Sequence, residues 1–360
     1  MKAACKGNVI LQGFNWKSHS LNKTYYSKIQ DSIPMMEKKV DYIWMPPCSK
    51  SYHPEGYFPE EYYDLNSEYG TKNELKILNK KLKESNIKSI ADIVCWYDFD
   101  GFKRPNYTFN NRERDINDPG LFAEFKNYVS YLIEDIGFSG FRLDYIKGYP
   151  AGALGQYLSR SSRFKDQTFM VAELWDCLDY ERETVCYNQD RHRQDITNYI
   201  NSTNDKFLAF DFTTKGILQD ALYANEYWRL ADKYNQPPGV LGWWNDKAIG
   251  FIDNHDTLGQ HHWPFSYNQD LIIAGYVYIL THFKNACIYT DHFYDLYSPL
   301  ADLILIHKEI FDENEPEIEI ILANDKIYIA KIGKMIVTIG EYCHYENKIF
   351  EYSNARIFYA

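Results

Sequence analysis

The amino-acid sequence predicts an α/β fold, a (β/α)8 TIM barrel over residues 1–314 followed by a small C-terminal antiparallel β domain over 315–360. Three observations carry this expectation. Short apolar runs alternate eight times with longer helix-forming stretches, the count of a closed eight-stranded barrel. No GxGxxG or GxxxxGK[ST] loop follows the first strand-like run, which speaks against a doubly wound open sheet. After about residue 315 the alternation stops, and short β-like runs separated by turn residues take over.

In chain order, VILQGFN (9–15) reads as the first strand and YYSKIQDSIPMMEKK (25–39) as a helix. DYIWMPP (41–47) is the second strand, KNELKILNKKLKES (72–85) a helix and IKSIADIVC (87–95) the third strand. A short insert, about 96–119, separates that strand from the helix LFAEFKNYVSYLIEDI (121–136). GFRLD (140–144), TFMVAEL (168–174), KFLAFDF (206–212) and AIGFIDN (248–254) are the fourth to seventh strands. LIIAGYVYIL (271–280) is shorter than the ~18 apolar residues of a membrane span and reads as a buried helix. NACIYT (285–290) is the eighth strand, and LADLILIHKEIF (300–311) follows it as a helix. In the tail, AND, IGK and YEN mark turns between β-like runs.

The totals narrow the function. Of 360 residues, 45% are hydrophobic and 25% charged, as in an ordinary globular protein. The formal net charge of −11, without a basic stripe, argues against a nucleic-acid partner, and no apolar run argues for a membrane. Seven scattered cysteines show no zinc spacing, so no metal site is expected from them. Met1 leads into NVILQGF without an apolar signal segment, so the expected compartment is the reducing cytoplasm. The chain is expected to act as a monomer.

GFIDNHD (250–256) crowds two aspartates, an asparagine and a histidine at the end of an apolar run. Burying unpartnered charge is costly, so such a cluster suits a strand that opens into a site. Catalytic groups of a barrel project from the C-terminal ends of its strands. The fourth strand supplies Arg142 and Asp144, two residues apart and on one side, and a guanidinium keeps a neighbouring carboxylate ionised. The fifth supplies Glu173, flanked by apolar residues as a general acid requires, and the seventh supplies His255 and Asp256. An ionised nucleophile (Asp144), an acid/base (Glu173) and a third carboxylate (Asp256) fit glycoside hydrolysis with retention.

The segments LQGFNW (11–16), VDYIWMPPCSKS (40–51), EGYFPEEYYDLNSEYGTKNELKILNKKL (55–82), GFRLDYIKGY (140–149), VAELWD (171–176) and FIDNHDT (251–257) resemble, in order, the α-amylase family. This is glycoside hydrolase family 13, and the likeness is strongest to its plant-type members. FDFTTKGIL (210–218) and PPGVLGWWNDKA (237–248) extend it. The resemblance implies a retaining endo-hydrolase of α-1,4-glucosidic bonds in starch, glycogen or maltodextrins, so that its partner is an α-glucan polysaccharide or oligosaccharide. It assigns Asp144 as nucleophile, Glu173 as acid/base and Asp256 as transition-state stabiliser. Arg142 would support the nucleophile, His255 hold sugar hydroxyls and Tyr57 stack on the cleaved sugar. Lys147 matches a basic position beyond the nucleophile, Trp175 the leaving-group side, and Trp243–Trp244 a sugar-stacking surface patch or a packed pair.

One region departs. Where the family reads Asp-x-Val-x-Asn-His, this chain has DIVCWY, so Trp96 and Tyr97 replace the calcium-ligating Asn and the substrate-binding His. Calcium takes six to eight oxygen ligands, and indole offers none. The expectation is therefore that the family cofactor Ca2+ is not essential here, that Asp98, Asp100, Asp115 and Asp118 belong to a solvated loop, and that Tyr97 can hydrogen-bond a sugar in place of the histidine. The alternatives to a hydrolase are an amylase-derived carbohydrate-binding protein with little turnover and an α-glucan transglycosidase.

Overall fold

In a computed structural model, which describes residues 6–94, 119–146, 152, 155, 168–312 and 316–360, the eight expected strands are present and parallel. They are β1 (Asn8–Gln12), β2 (Tyr42–Trp44), β3 (Lys88–Ile93), β4 (Gly140–Leu143), β5 (Phe169–Ala172), β6 (Leu208–Phe210), β7 (Ala248–Gly250) and β8 (Asn285–Tyr289). They close into a barrel in the order β1-β8-β7-β6-β5-β4-β3-β2. The main helices are α1 (Tyr25–Met36), α2 (Lys72–Glu84), α3 (Pro119–Tyr131), α4 (Asp190–Ser202), α5 (Phe212–Ala224), α6 (Gln269–His282) and α7 (Tyr297–Ile310). No described helix is long and apolar enough to cross a membrane.

The chain divides into two compact units. One comprises Met1–Asn15, Trp175–Asn198 and Leu208–Ala360; the other comprises Trp16–Leu174 and Tyr199–Phe207. Within the first, Phe210 pairs with Ile249, Gly250 with Ala286 and Gln12 with Tyr289. Within the second, Trp44 pairs with Ile90, Asp92 with Arg142 and Leu143 with Ala172. Those two registers set the geometry of the site.

Local chemistry explains where the helices begin. Thr71 and Glu74 form a capping box, with the Thr71 hydroxyl accepting from the Glu74 N–H and the Glu74 carboxylate from the Thr71 N–H. Asp211 caps α5 by accepting from the Thr214 N–H at 2.9 Å. The expected buried helix is α6, whose residues from Ile272 to His282 are all buried. The helix read over 121–136 is α3 followed by a π-turn, Leu132–Ile136, closed by Gly137 in the left-handed region.

Several strands are shorter than the apolar runs suggested. The seventh run was read to Asn254, but β7 ends at Gly250, and Phe212 of the sixth run already belongs to α5. Apolarity marks burial, and these residues are buried without being laddered.

The C-terminal part is a five-stranded antiparallel sheet of β9 (Ile318–Ala323), β10 (Ile327–Ile332), β11 (Met335–Gly340), β12 (Lys348–Tyr352) and β13 (Ala355–Tyr359), in the order β9-β10-β11-β13-β12. Gly333, at φ +55°, makes the two-residue turn between β10 and β11. The sheet is tied to α6 through His282, whose Nε2 lies 2.9 Å from the Tyr328 hydroxyl. Burial pushes His282 down to about 3, so it serves as a neutral hydrogen-bonding group. Five described cysteines, Cys48, Cys177, Cys186, Cys287 and Cys343, are free thiols.

Candidate active site

The register of β3 against β4 sets Asp92 beside Arg142, and both side chains are buried. One step past the ends of the strands, the Asp144 N–H donates to the Ile93 carbonyl and the Glu173 N–H to the Leu143 carbonyl. The backbone thus carries Asp144 and Glu173 to neighbouring positions just beyond the ladder. Arg142 Nη1 donates to Asp144 Oδ1 at 2.7 Å and to Asp92 Oδ1 at 2.9 Å, while Nη2 lies 2.5 Å from Glu173 Oε1. Three carboxylates share one guanidinium. Burial opposes its charge, yet Asp92, Glu173 and Asp144 hold the Arg142 pKa well above its ordinary value.

Glu173 is buried, as its apolar flanks suggested, and its side chain is only 4% exposed against 21% for Asp144. The sequence paired Arg142 with Asp144 alone; the fold gives it Glu173 as well. The Tyr145 N–H donates to Glu173 Oε2 at 3.3 Å, and Tyr145 takes φ +43°, uncommon for a side chain of this size.

Asp92 is the fixed end of this cluster. Its Oδ2 accepts from Trp44 Nε1 at 3.1 Å and from the Tyr57 hydroxyl at 2.8 Å. The Trp44 ring lies under the guanidinium at 4.8 Å, and the Tyr57 ring stacks on Trp16 at 5.8 Å. Tyr57 is therefore anchored at its hydroxyl.

Burial pushes Asp92 up, against the pull of Arg142, to about 6. Its folded pKa lies above the usual aspartate value, so its contribution to stability is complete below about pH 4 and is lost as pH rises through about 6. Asp92→Asn is expected to flatten the fall in urea midpoint between pH 4 and 7. An unchanged slope would contradict this account.

The other unit carries the loop after β7. Asp253 and Asn254 build the turn. Asn254 Oδ1 accepts from the N–H groups of Asp256 at 2.9 Å and Thr257 at 2.8 Å. Asp253 accepts from the Thr257 hydroxyl at 2.8 Å and the Phe265 N–H at 3.0 Å. Lys215, fully buried on α5, donates to the Trp263 carbonyl at 2.9 Å, so Lys215 and Asp253 together hold the segment from Trp263 to Phe265. Burial drives Lys215 down and Asp253 up, and each partly restores the other's charge. On this turn, His255 Nδ1 lies 2.8 Å from the Gln12 amide nitrogen and Nε2 3.4 Å from Asp256 Oδ2. Gln260 donates to Asp256 Oδ1 at 2.6 Å.

Trp175 stacks on Phe212, with centroids 5.4 Å apart. The next residue is held by His192, whose Nε2 lies 3.2 Å from the Asp176 carbonyl. Trp243 is half-exposed, with the buried Arg193 guanidinium 3.8 Å from its ring.

The structure thus gathers Tyr57, Arg142, Asp144 and Glu173 in one unit and Trp175, His255 and Asp256 in the other. Tyr97 and Lys147 lie outside the described residues, as do Trp96 and the four aspartates of the insert. Sequence reasoning gave no role to Trp16, Trp44, Gln12, Gln260 or the Lys215–Asp253 clamp, and it noted Asp92 only as a motif position. Nothing in the sequence sets Asp92 against Arg142: the pairing joins the fifth residue of β3 to the third of β4 and follows only from the register that aligns Ile90 with Gly140.

Comparison with known proteins agrees with this picture. The alpha-amylase catalytic-domain family matches residues 35–116. "Probable alpha-amylase 2" of Arabidopsis thaliana is 35% identical over 91% of this chain and 86% of its own length. "Alpha-amylase 3, chloroplastic" of the same plant is 34% identical over 94% of this chain, which spans 42% of that longer protein. Among solved structures, an Anoxybacillus alpha-amylase superposes with a TM-score of 0.68 at 15% identity, covering 94% of this chain and 88% of that one.

Proposed function

This chain belongs to the α-amylase family, and from that premise we propose that it is a retaining endo-hydrolase of α-1,4-glucosidic bonds in starch, glycogen or maltodextrins. The observation that carries the proposal is Arg142 holding Asp144 and Glu173 on one guanidinium. Retention needs two carboxyl groups only about 5–5.5 Å apart, and a shared guanidinium favours such a spacing.

In this reading Asp144, the more exposed of the two and ionised beside Arg142, attacks the anomeric carbon. Glu173 gives its proton to the glycosidic oxygen as that bond breaks, leaving a glucosyl ester on Asp144. Glu173 then takes a proton from water, the oxygen attacks the anomeric carbon, and Asp144 leaves as carboxylate. The resemblance gives His255 and Asp256 the binding of sugar hydroxyls and the support of an oxocarbenium-like transition state. Tyr57 and Trp175 supply ring faces, and Tyr97 and Lys147 keep the binding roles that the resemblance gives them.

The test is release of reducing ends from soluble starch by purified protein, with Glu173→Gln as the reference. Release no greater than that of Glu173→Gln would overturn the hydrolase reading and favour a binding protein.

The residues at the family's calcium position do not fit the ion, because Trp96 offers no oxygen where Asn would. The proposal therefore routes nothing through calcium. Excess EDTA is expected to leave starch hydrolysis and melting temperature unchanged, read by initial rates and thermal unfolding. A large loss restored by added calcium would refute this. The proposal also takes the enzyme as a cytoplasmic monomer; the free thiols of the five described cysteines suit a reducing compartment.

A further inference from the structure

Gln12 is the last residue of β1, and its side chain is completely buried. Its amide nitrogen lies 2.8 Å from His255 Nδ1. His255 is itself buried, with Phe14 against its ring at 5.1 Å, and its Nε2 faces Asp256 Oδ2 at 3.4 Å. We propose that Gln12 is a positioning residue that fixes His255 as the neutral tautomer carrying its proton on Nε2.

Two features set the direction. An ionised Asp256 only accepts, so the ring nitrogen facing it is stabilised when it carries hydrogen. A neutral imidazole has one N–H, which leaves Nδ1 as a bare lone pair requiring a donor, and the Gln12 amide is placed to be that donor. This orientation leaves Gln12 Oε1 as a buried acceptor without a partner among the described residues, and spends one of the two amide hydrogens on Nδ1. The reverse orientation would leave both N–H groups of the amide unpaired and turn a bare Nε2 toward a carboxylate. Unpaired buried N–H groups are the rarer and costlier case.

The functional meaning rests on the hydrolase reading above. A sugar hydroxyl meeting His255 would find a fixed donor at Nε2, with no tautomeric shift needed when substrate arrives. The tautomer itself can be measured without substrate, so the two claims can fail separately.

The experiment is a long-range proton–nitrogen correlation spectrum of protein labelled with 15N-histidine, with His255 assigned by its loss in His255→Gln. The expected pattern is a protonated Nε2 and a bare Nδ1. Gln12→Met keeps length and volume without the hydrogen bond, and is expected to give mixed tautomers. Gln12→Glu places an acceptor at Nδ1 and is expected to draw the proton there. In both variants kcat/KM on maltodextrin should fall about tenfold, the scale of one net hydrogen bond, with the melting temperature nearly kept.

A space-filling role would instead leave Gln12→Met active and the tautomer unmoved. A wild-type His255 protonated on Nδ1 or on both nitrogens, or the same tautomer in all three proteins, overturns the proposal. If either variant fails to fold, the wild-type spectrum still decides it. The expected tautomer in a protein that cannot cleave starch would sustain this inference and remove the hydrolase reading instead.

Discussion

Glu173→Gln is expected to lower kcat on starch by about a thousandfold or more, within the range or beyond it that general acid–base catalysis contributes. The amide is nearly the shape of the acid, and its single carbonyl oxygen can accept from either the Tyr145 N–H or Arg142, so the fold is kept while one of these two contacts is given up. It has no proton to give the leaving oxygen and no charge with which to take one from water. A maltoside with an acidic phenol as leaving group needs little protonation, so the first half-reaction of Glu173→Gln should be far less impaired on it. Rapid-mixing measurement of phenol release would show this as a burst, because the second half-reaction still lacks its base. Equal losses on both substrates would mean that Glu173 acts in some other way.

Arg142→Met should be the most damaging single change to stability. It leaves Asp92, Asp144 and Glu173 around an apolar side chain, two of them almost fully buried. Breaking a buried ion pair from one side costs about 3–5 kcal/mol, and here one cation serves three anions. The urea midpoint should fall accordingly, and activity should disappear. The defect should shrink as pH falls, because carboxylates stripped of their cation bind protons more readily in the folded than in the unfolded chain. Arg142→Lys restores charge but not shape, since a compact ammonium cannot present the planar fork that faces three carboxylates. It should recover part of the stability and little of the activity. A folded Arg142→Met of native stability at pH 7 would disprove this account of the cluster.

The barrel was legible because a parallel strand buried on both faces leaves a continuous apolar run, and eight such runs can be counted. Strand ends were not, because Phe251 and Ile252 are as apolar as residues in the ladder and yet lie outside it. Arg142, Asp144, Glu173, His255 and Asp256 could be picked from the sequence because charge at the end of an apolar run is conspicuous. Their supports could not. Gln12 and Trp44 look like ordinary strand residues until the barrel curls, and the link from Lys215 to Trp263 spans 48 positions of chain. The pairing of Arg142 with Glu173 was missed for a related reason: pattern reading looks along a strand, whereas this contact runs across two.

Anyone grafting this pair of acids onto another barrel would have to move more than the acids. Copied alone, Asp144 and Glu173 would repel each other and take up protons. Copied with Arg142, they would still lack Asp92, the indole of Trp44 beneath the guanidinium, and the Tyr57 hydroxyl that completes the hydrogen bonds of Asp92. The smallest transplantable part is a slab four strands wide, β2 to β5, together with the loop bearing Tyr57, and a scaffold unable to accept that slab whole would receive the letters of the site without its chemistry.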